Sequence, residues 1–244
     1  MRNLRLEICY DGTRYKGWQR LTNGDNTIQG KLEVLLSKLL GEPIEISGSG
    51  RTDAGTHAVG QVASFHCNST MTCEDILSGL RAYLPEDIGV YSCKDVSPRF
   101  HARLNAKEKT YCYRLWNSDE PFVFDRRYVH KDTRQFDLEA MQKAADYFVG
   151  THDFSAFCSK KHMKKSTVRA IRSFKIERAG NELRFTVTGN GFLQHMVRIM
   201  VGTLLEIGAG AISADEIPAM FGKPREISGP AVPACGLCLM EVTY

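Results

Sequence analysis

An arginine and an aspartate stand two residues apart in "ISGSGRTDAGTHAVGQ" (residues 46–61), crowded by Gly48, Gly50 and Gly55. Glycines at that density exclude a stable helix, because each costs about 1 kcal/mol relative to alanine in a helix interior. The stretch is predicted to be a tight loop in which positive φ and close backbone approach are available, the usual way to present one or two polar side chains to a ligand. Arg51 and Asp53 are the polar side chains such a loop would present. The alternative is an ordinary turn whose Arg51 and Asp53 form a solvated pair.

A second charge stands out in "FLQHMVRIMVG", where Arg198 interrupts a run that is apolar on nearly every face of a helix. Guanidinium does not lose its proton, and burying it unpaired would cost several kcal/mol, so a carboxylate or phosphate is expected to meet it. Asp53 and Glu206 are the two candidates for that carboxylate. Basic residues gather elsewhere in loops. "SKKHMKKS" brings Lys160, Lys161, Lys164 and Lys165 together without apolar periodicity, and Arg14, Lys16, Arg20, Lys107, Lys109, Arg126 and Arg127 add to them. Such a segment is either a solvated loop or an arm that neutralises phosphates. "CGLC" at Cys235–Cys238 has metal or redox spacing but lacks a second ligand pair, so no metal is expected.

The elements that must carry these residues read as strands and helices in alternation. "NLRLEICY" alternates as a half-buried strand, and Asp11-Gly12 ends it. "TIQGKLEVLLSKLLG" places Ile28, Leu32, Leu35, Leu36 and Leu39 on one helical face between a Thr27 N-cap and Gly41. "PIEIS" (residues 43–47) and "QVASFHC" are read as strands bracketing the glycine loop, "CEDILSGLRAYLP" as a helix stopped by Pro85, and "VYSCKDV" as a strand. From "HARLNAKEKTYCYRLW" a long strand begins, with Tyr111, Tyr113 and Leu115 alternating, so a boundary is placed near residue 104. "DLEAMQKAADYFVG" then follows as a helix capped by Asp137, and 169–189 as a hairpin turning at Ala179–Asn181. "HMVRIMVGTLLEIG" is a buried helix, "SADE" opens a short helix with a capping box, and "LCLMEVTY" closes the chain as a strand. The organisation is two α+β units, 1–104 and 105–244.

The chain has 244 residues, 43% of them hydrophobic and 25% charged, with a net charge of +4. That composition is globular, and the charge tilts weakly toward an anionic partner. No run of eighteen apolar residues and no signal-type start is present, and eight cysteines are scattered without a disulfide pattern. A reduced, cytoplasmic protein without a membrane segment is expected. Neither a phosphate loop nor a dinucleotide fingerprint occurs, so no cofactor is expected.

Six segments in order, "YDGTRYKGWQ", "SGSGRTDAGTHAVGQV", "KTYCYRL", "GTHDFSAF", "GFLQHMVRIMVGTLLEIG" and "PACGLCLMEV", resemble the successive motifs of the bacterial tRNA pseudouridine synthase A family from end to end. Thr56 and Gln194 depart from the pattern, which more often has Val and Tyr there. The resemblance implies the pseudouridine synthase fold, two α+β halves sharing a mainly antiparallel sheet with flanking helices and a cleft between them. It also implies a homodimer that binds the anticodon arm of tRNA and isomerises uridines at positions 38, 39 and 40. Carried over by position, Asp53 is the nucleophile, Arg51 lies beside it, Tyr111 is the active-site tyrosine, and Arg198 pairs with the aspartate. Leu237 or Leu239 supplies an apolar wall. Arg14, Lys16, His57, Lys107, Lys109 and the four lysines of the 160–165 segment are assigned to substrate binding, with His57 bonding within its loop. A flipped uridine would leave a gap that Arg51 could fill. The residues leave open whether Asp53 attacks ribose C1′ or base C6, and whether Tyr111 is a base or a stacking group. A relative with another RNA target, or a tRNA-binding protein without catalysis, are the competing readings.

Overall fold

The computed structural model describes residues 1–22, 24, 26–160 and 166–244. In chain order the longer elements are β1 (Arg2–Tyr10), α1 (Ile28–Leu40), β2 (Ser47–Gly48), β3 (His57–Cys67), α2 (Cys73–Tyr83), β4 (Ile88–Val96) and β5 (Glu108–Trp116). They continue as β6 (His130–Lys131), α3 (Leu138–Tyr147), β7 (Gly150–Asp153), β8 (Val168–Ala179), β9 (Glu182–Gly189), α4 (Met196–Gly208), α5 (Ile217–Met220) and β10 (Leu237–Thr243). The class is α+β with mainly antiparallel pairing. The described chain divides into two compact units, Met1–Lys107 with Cys238–Tyr244, and Glu108–Leu237. This differs from a cut near residue 104 at both ends of the second unit. Lys107 N–H donates to the Thr243 carbonyl at 2.9 Å, and Cys238 and Leu239 pair in parallel with His57 and Ala58 on β3, so the last strand belongs with the first unit.

In the first unit the strand order is β4-β1-β3-β10, with the short β2 on β3. Leu4, Leu6 and Ile8 of β1 are fully buried, as alternation requires. Helix α1 begins where the Thr27 hydroxyl accepts the Gly30 N–H and ends at Gly41, whose φ of 69° is the left-handed cap. Its buried face is Ile28, Leu32 and Leu36, while Leu35 and Leu39 are only half-buried. Of the segment 43–47 only Ser47 is in a strand, at the start of β2. Ile46 N–H donates to the Glu33 carboxylate at 2.9 Å and Ile44 N–H to the Ser37 hydroxyl at 2.8 Å, so helix side chains take the donors a strand would use.

In the second unit β5, β9, β8 and β7 form antiparallel neighbours, with β6 parallel to β5. The strand through Tyr111 starts at Glu108 rather than near His101, because 101–105 close a turn in which Asn105 N–H donates to the His101 carbonyl at 3.0 Å. Leu183, Phe185 and Val187 of β9 are fully buried, and the hairpin turns at Gly180-Asn181 between paired Ala179 and Glu182. The Ser213–Glu216 capping box is present ahead of α5. Helix α4 is buried on most of its circumference. Among the described residues no helix is long and apolar enough to cross a membrane.

Candidate active site

Asp53 lies in the first unit on the loop between β2 and β3, half-buried, with Arg51 and Ala54 exposed on either side. The main chain of the loop is fastened at three points. Trp18 N–H donates to the Thr52 carbonyl at 3.2 Å, Gly55 N–H to the Tyr15 carbonyl at 3.3 Å, and Thr56 N–H to the Asp53 carbonyl at 3.1 Å. The segment 11–18, the first of the six motifs, therefore runs along the back of the aspartate loop. Two glycines let it come that close. A Cβ on Gly12 would stand 2.0 Å from the Thr56 carbonyl oxygen, and one on Gly17, whose φ is +92°, 2.6 Å from that of Thr52. His57 is buried, and its Nδ1 accepts the Gly12 N–H at 3.1 Å and lies 3.2 Å from an Asp11 oxygen. Both of these contacts are to the segment that ends β1, not to the aspartate loop.

A buried polar network backs the same loop. The Gln61 side chain, fully buried on β3, bonds Ser49, Gly50 and Tyr10, and the Tyr10 hydroxyl lies 2.8 Å from the Thr52 hydroxyl. Sequence reasoning passed over these residues. The available signal was a polar side chain at a core-facing strand position, since Gln61 stands opposite Ile8 in the register.

In the second unit Tyr111 sits on β5 opposite Val187, 7% exposed, with its ring edge-on to Phe192 at a centroid separation of 5.1 Å. Tyr113, two residues on and on the same face, is fully buried, and its hydroxyl donates to the Pro233 carbonyl at 2.9 Å. Burial raises the Tyr113 hydroxyl far above the ordinary phenol range, with the positive charge of Arg198 partly offsetting it. Arg198 occupies the first turn of α4 and is half-buried rather than enclosed. Its Nε donates to the Val232 carbonyl at 2.7 Å, and Val232 N–H donates back to the Arg198 carbonyl at 3.2 Å. The first bond restrains the guanidinium at Nε, and the second ties the main chain at Val232 to α4. Glu206, the structural alternative as its partner, is instead 3.0 Å from Arg134. His195, just before α4, has a φ of 61°, a left-handed conformation uncommon outside glycine, and lies 2.9 Å from the Ser159 hydroxyl.

The basic residues divide by environment. Arg14 is exposed but paired with Asp87 at 2.6 Å, and Lys16, Lys107 and Lys160 are exposed. Lys109 is half-buried on β5, and Leu237 is buried where β10 begins, as is Leu239. Lys161, Lys164 and Lys165 lie outside the described residues. Cys235 Sγ lies 3.9 Å from the Val129 carbonyl, and burial raises its thiol above the ordinary range.

A family model described as tRNA pseudouridine synthase matches residues 8–105 and 144–244. Over 245 aligned positions spanning the whole of each chain, the sequence is 43% identical to tRNA pseudouridine synthase A 2 of Bacillus cereus. Over the same span it is 46% identical to tRNA pseudouridine synthase A of a Bacillus species and to tRNA pseudouridine synthase A 1 of Clostridium tetani. Among solved structures, one chain of a Cbf5-Nop10-Gar1 complex aligns over 83% of this chain and 54% of its own at 12% identity. Its TM-score of 0.32 is too low to argue from. The matched ranges take in the aspartate loop with the segment that fastens it in one unit, and the α4 arginine in the other. The chain belongs to the tRNA pseudouridine synthase family.

Proposed function

We propose that this protein isomerises uridines at positions 38, 39 and 40 of the tRNA anticodon arm to pseudouridine, with Asp53 as nucleophile. The observation that carries the reading is the fastening of Asp53. Asp53 is half-buried on a loop whose backbone is bonded to a second segment at Thr52 and Gly55, which holds the main chain that carries it in place before substrate arrives.

The reaction breaks the bond between ribose C1′ and base N1, turns the base, and joins C5 to C1′. The proton on C5 is lost and N1 gains one, so no redox equivalent is consumed. A carboxylate serves as nucleophile and then leaving group, whether it adds at C1′ or at C6 of the base. Arg198, restrained at Nε by the Val232 carbonyl, would keep that carboxylate ionised and aimed. Tyr111, on β5 with its ring edge-on to Phe192, would be the tyrosine that meets the base. Arg51, exposed beside Asp53, is available to fill the stack a flipped uridine leaves. Arg14, Lys16, Lys107, Lys109 and Lys160, with the lysines that follow, would hold phosphates, and Leu237 would line the base pocket. The working form is a homodimer in the cytoplasm.

The test is release of tritium from tRNA transcripts made with 5-tritiated uridine, comparing the native protein with Asp53→Ala. Release by the native protein and none by the variant, with tRNA affinity held within about tenfold because phosphate contacts supply most of it, is the expected result. Loss of tRNA binding in folded Asp53→Ala contradicts it, and silence from the native protein with tRNA bound points to a binding protein or another RNA target.

A further inference from the structure

We infer that Gln61, acting through Tyr10 and Thr52, is a positioning residue that sets the aspartate loop for catalysis. The inference rests on the reading of Asp53 as nucleophile.

Gln61 is fully buried, and every hydrogen-bonding direction of its amide is used. Its Oε1 accepts the Ser49 hydroxyl at 2.6 Å and the Val62 N–H at 3.1 Å, while its Nε2 donates to the Gly50 carbonyl at 3.1 Å and to the Tyr10 hydroxyl at 3.4 Å. The orientation is unique. Turned over, the amide would face N–H toward N–H at Val62 and oxygen toward oxygen at Gly50, leaving buried polar groups unmatched. Because Tyr10 receives the Gln61 N–H, its own hydrogen is available to Thr52, whose hydroxyl lies 2.8 Å away. Burial holds the Tyr10 phenol neutral by raising it well above its ordinary range.

The network therefore takes hold of the loop on both sides of Arg51, at Ser49 and Gly50 before it and at Thr52 after it. Thr52 is the residue immediately before Asp53. Its carbonyl is also fixed by Trp18 N–H, so side chain and main chain are restrained together. None of these groups is on the exposed side of the loop, where Arg51 and Ala54 lie. A displacement of the carboxylate by about 1 Å is enough to cost about a hundredfold in rate.

The experiment uses full-length protein carrying Gln61→Met, Thr52→Val, Tyr10→Phe or Thr52→Ser, with two readouts. Single-turnover tritium release is expected to fall about 10- to 100-fold in the first three, with tRNA affinity within about twofold. Thr52→Ser, which keeps the hydroxyl, should recover to within about threefold of native. Tyr10→Phe combined with Thr52→Val should be no slower than the worse single variant, since the two remove the same bond. Amide exchange in the free protein is the second readout. The Gly55 and Thr56 N–H groups should exchange about tenfold faster in Thr52→Val while β3 amides keep native rates. Unchanged exchange, additive losses, or a fall confined to tRNA affinity would overturn the positioning role. Faster loop exchange in a native background that releases no tritium would uphold the clasp and overturn the reaction assigned to Asp53. Thr52→Val is close to isosteric and on the loop itself, so the test stands even where Gln61→Met fails to fold.

Discussion

At the scale of single residues, Gly17 lets the segment behind Asp53 lie against the main chain of its loop. Gly17 has a φ of +92° and no room for a Cβ, which would meet the Thr52 carbonyl oxygen at 2.6 Å and the Asp53 carbonyl carbon at 3.0 Å. Gly41 also has a positive φ, 69°, but caps α1 with nothing within 4 Å of a Cβ. The two separate conformational strain from contact with the loop. Gly41→Ala should lose about 1–3 kcal/mol in denaturant unfolding and keep native turnover per folded molecule. Gly17→Ala should lose at least as much stability and also lower single-turnover tritium release, because the added Cβ meets the main chain of the aspartate loop itself.

At the scale of elements, the β5–β9 pairing sets Arg114 directly opposite Arg184, a cross-strand repulsion that Glu182 neutralises. Glu182 is 6% exposed, holds Arg114 through two bonds of 2.8 and 2.7 Å, and accepts Arg184 Nε at 2.8 Å. Burial pushes its carboxyl upward, but the hydrogen bonds from Arg114 and Arg184 outweigh it and hold the group below its ordinary value of 4.5. A carboxylate lowered by folding stabilises the protein above that ordinary value, and the contribution is lost as pH falls through the folded value. Unfolding free energy should thus decline as pH drops below about 4.5 more steeply in the native protein than in Glu182→Gln. Glu182→Ala, which removes the carboxylate shared by two partly exposed arginines, should cost about 1–3 kcal/mol at neutral pH. Equal pH slopes for native protein and Glu182→Gln would place the acid sensitivity elsewhere.

At the scale of the whole molecule, a net charge of +4 is too small to bind tRNA by itself, so the placement of lysines matters more than their sum. Replacing Lys160, Lys161, Lys164 and Lys165 with glutamine should flatten the dependence of log affinity on log salt by about 0.7–0.9 for each phosphate that is no longer neutralised. An unchanged slope would return the segment to a solvated loop. Signals that act within three or four residues of chain were legible without a structure: the Thr27 and Asp137 caps, the Gly41 stop, the Ser213–Glu216 box and the Gly180 turn all stand where local hydrogen bonding puts them. Family membership was legible too, because six ordered motifs constrain identity more tightly than any element boundary does. Tertiary structure alone decided the rest. It decided that Ile44 and Ile46 spend their N–H groups on Ser37 and Glu33 instead of a strand, and that the final strand joins β3. It also decided that Gln61, eight residues after Asp53, reaches back to fasten the loop on both sides of Arg51. These outcomes depend on which buried donors and acceptors find one another across long stretches of chain, and periodicity carries no record of that choice.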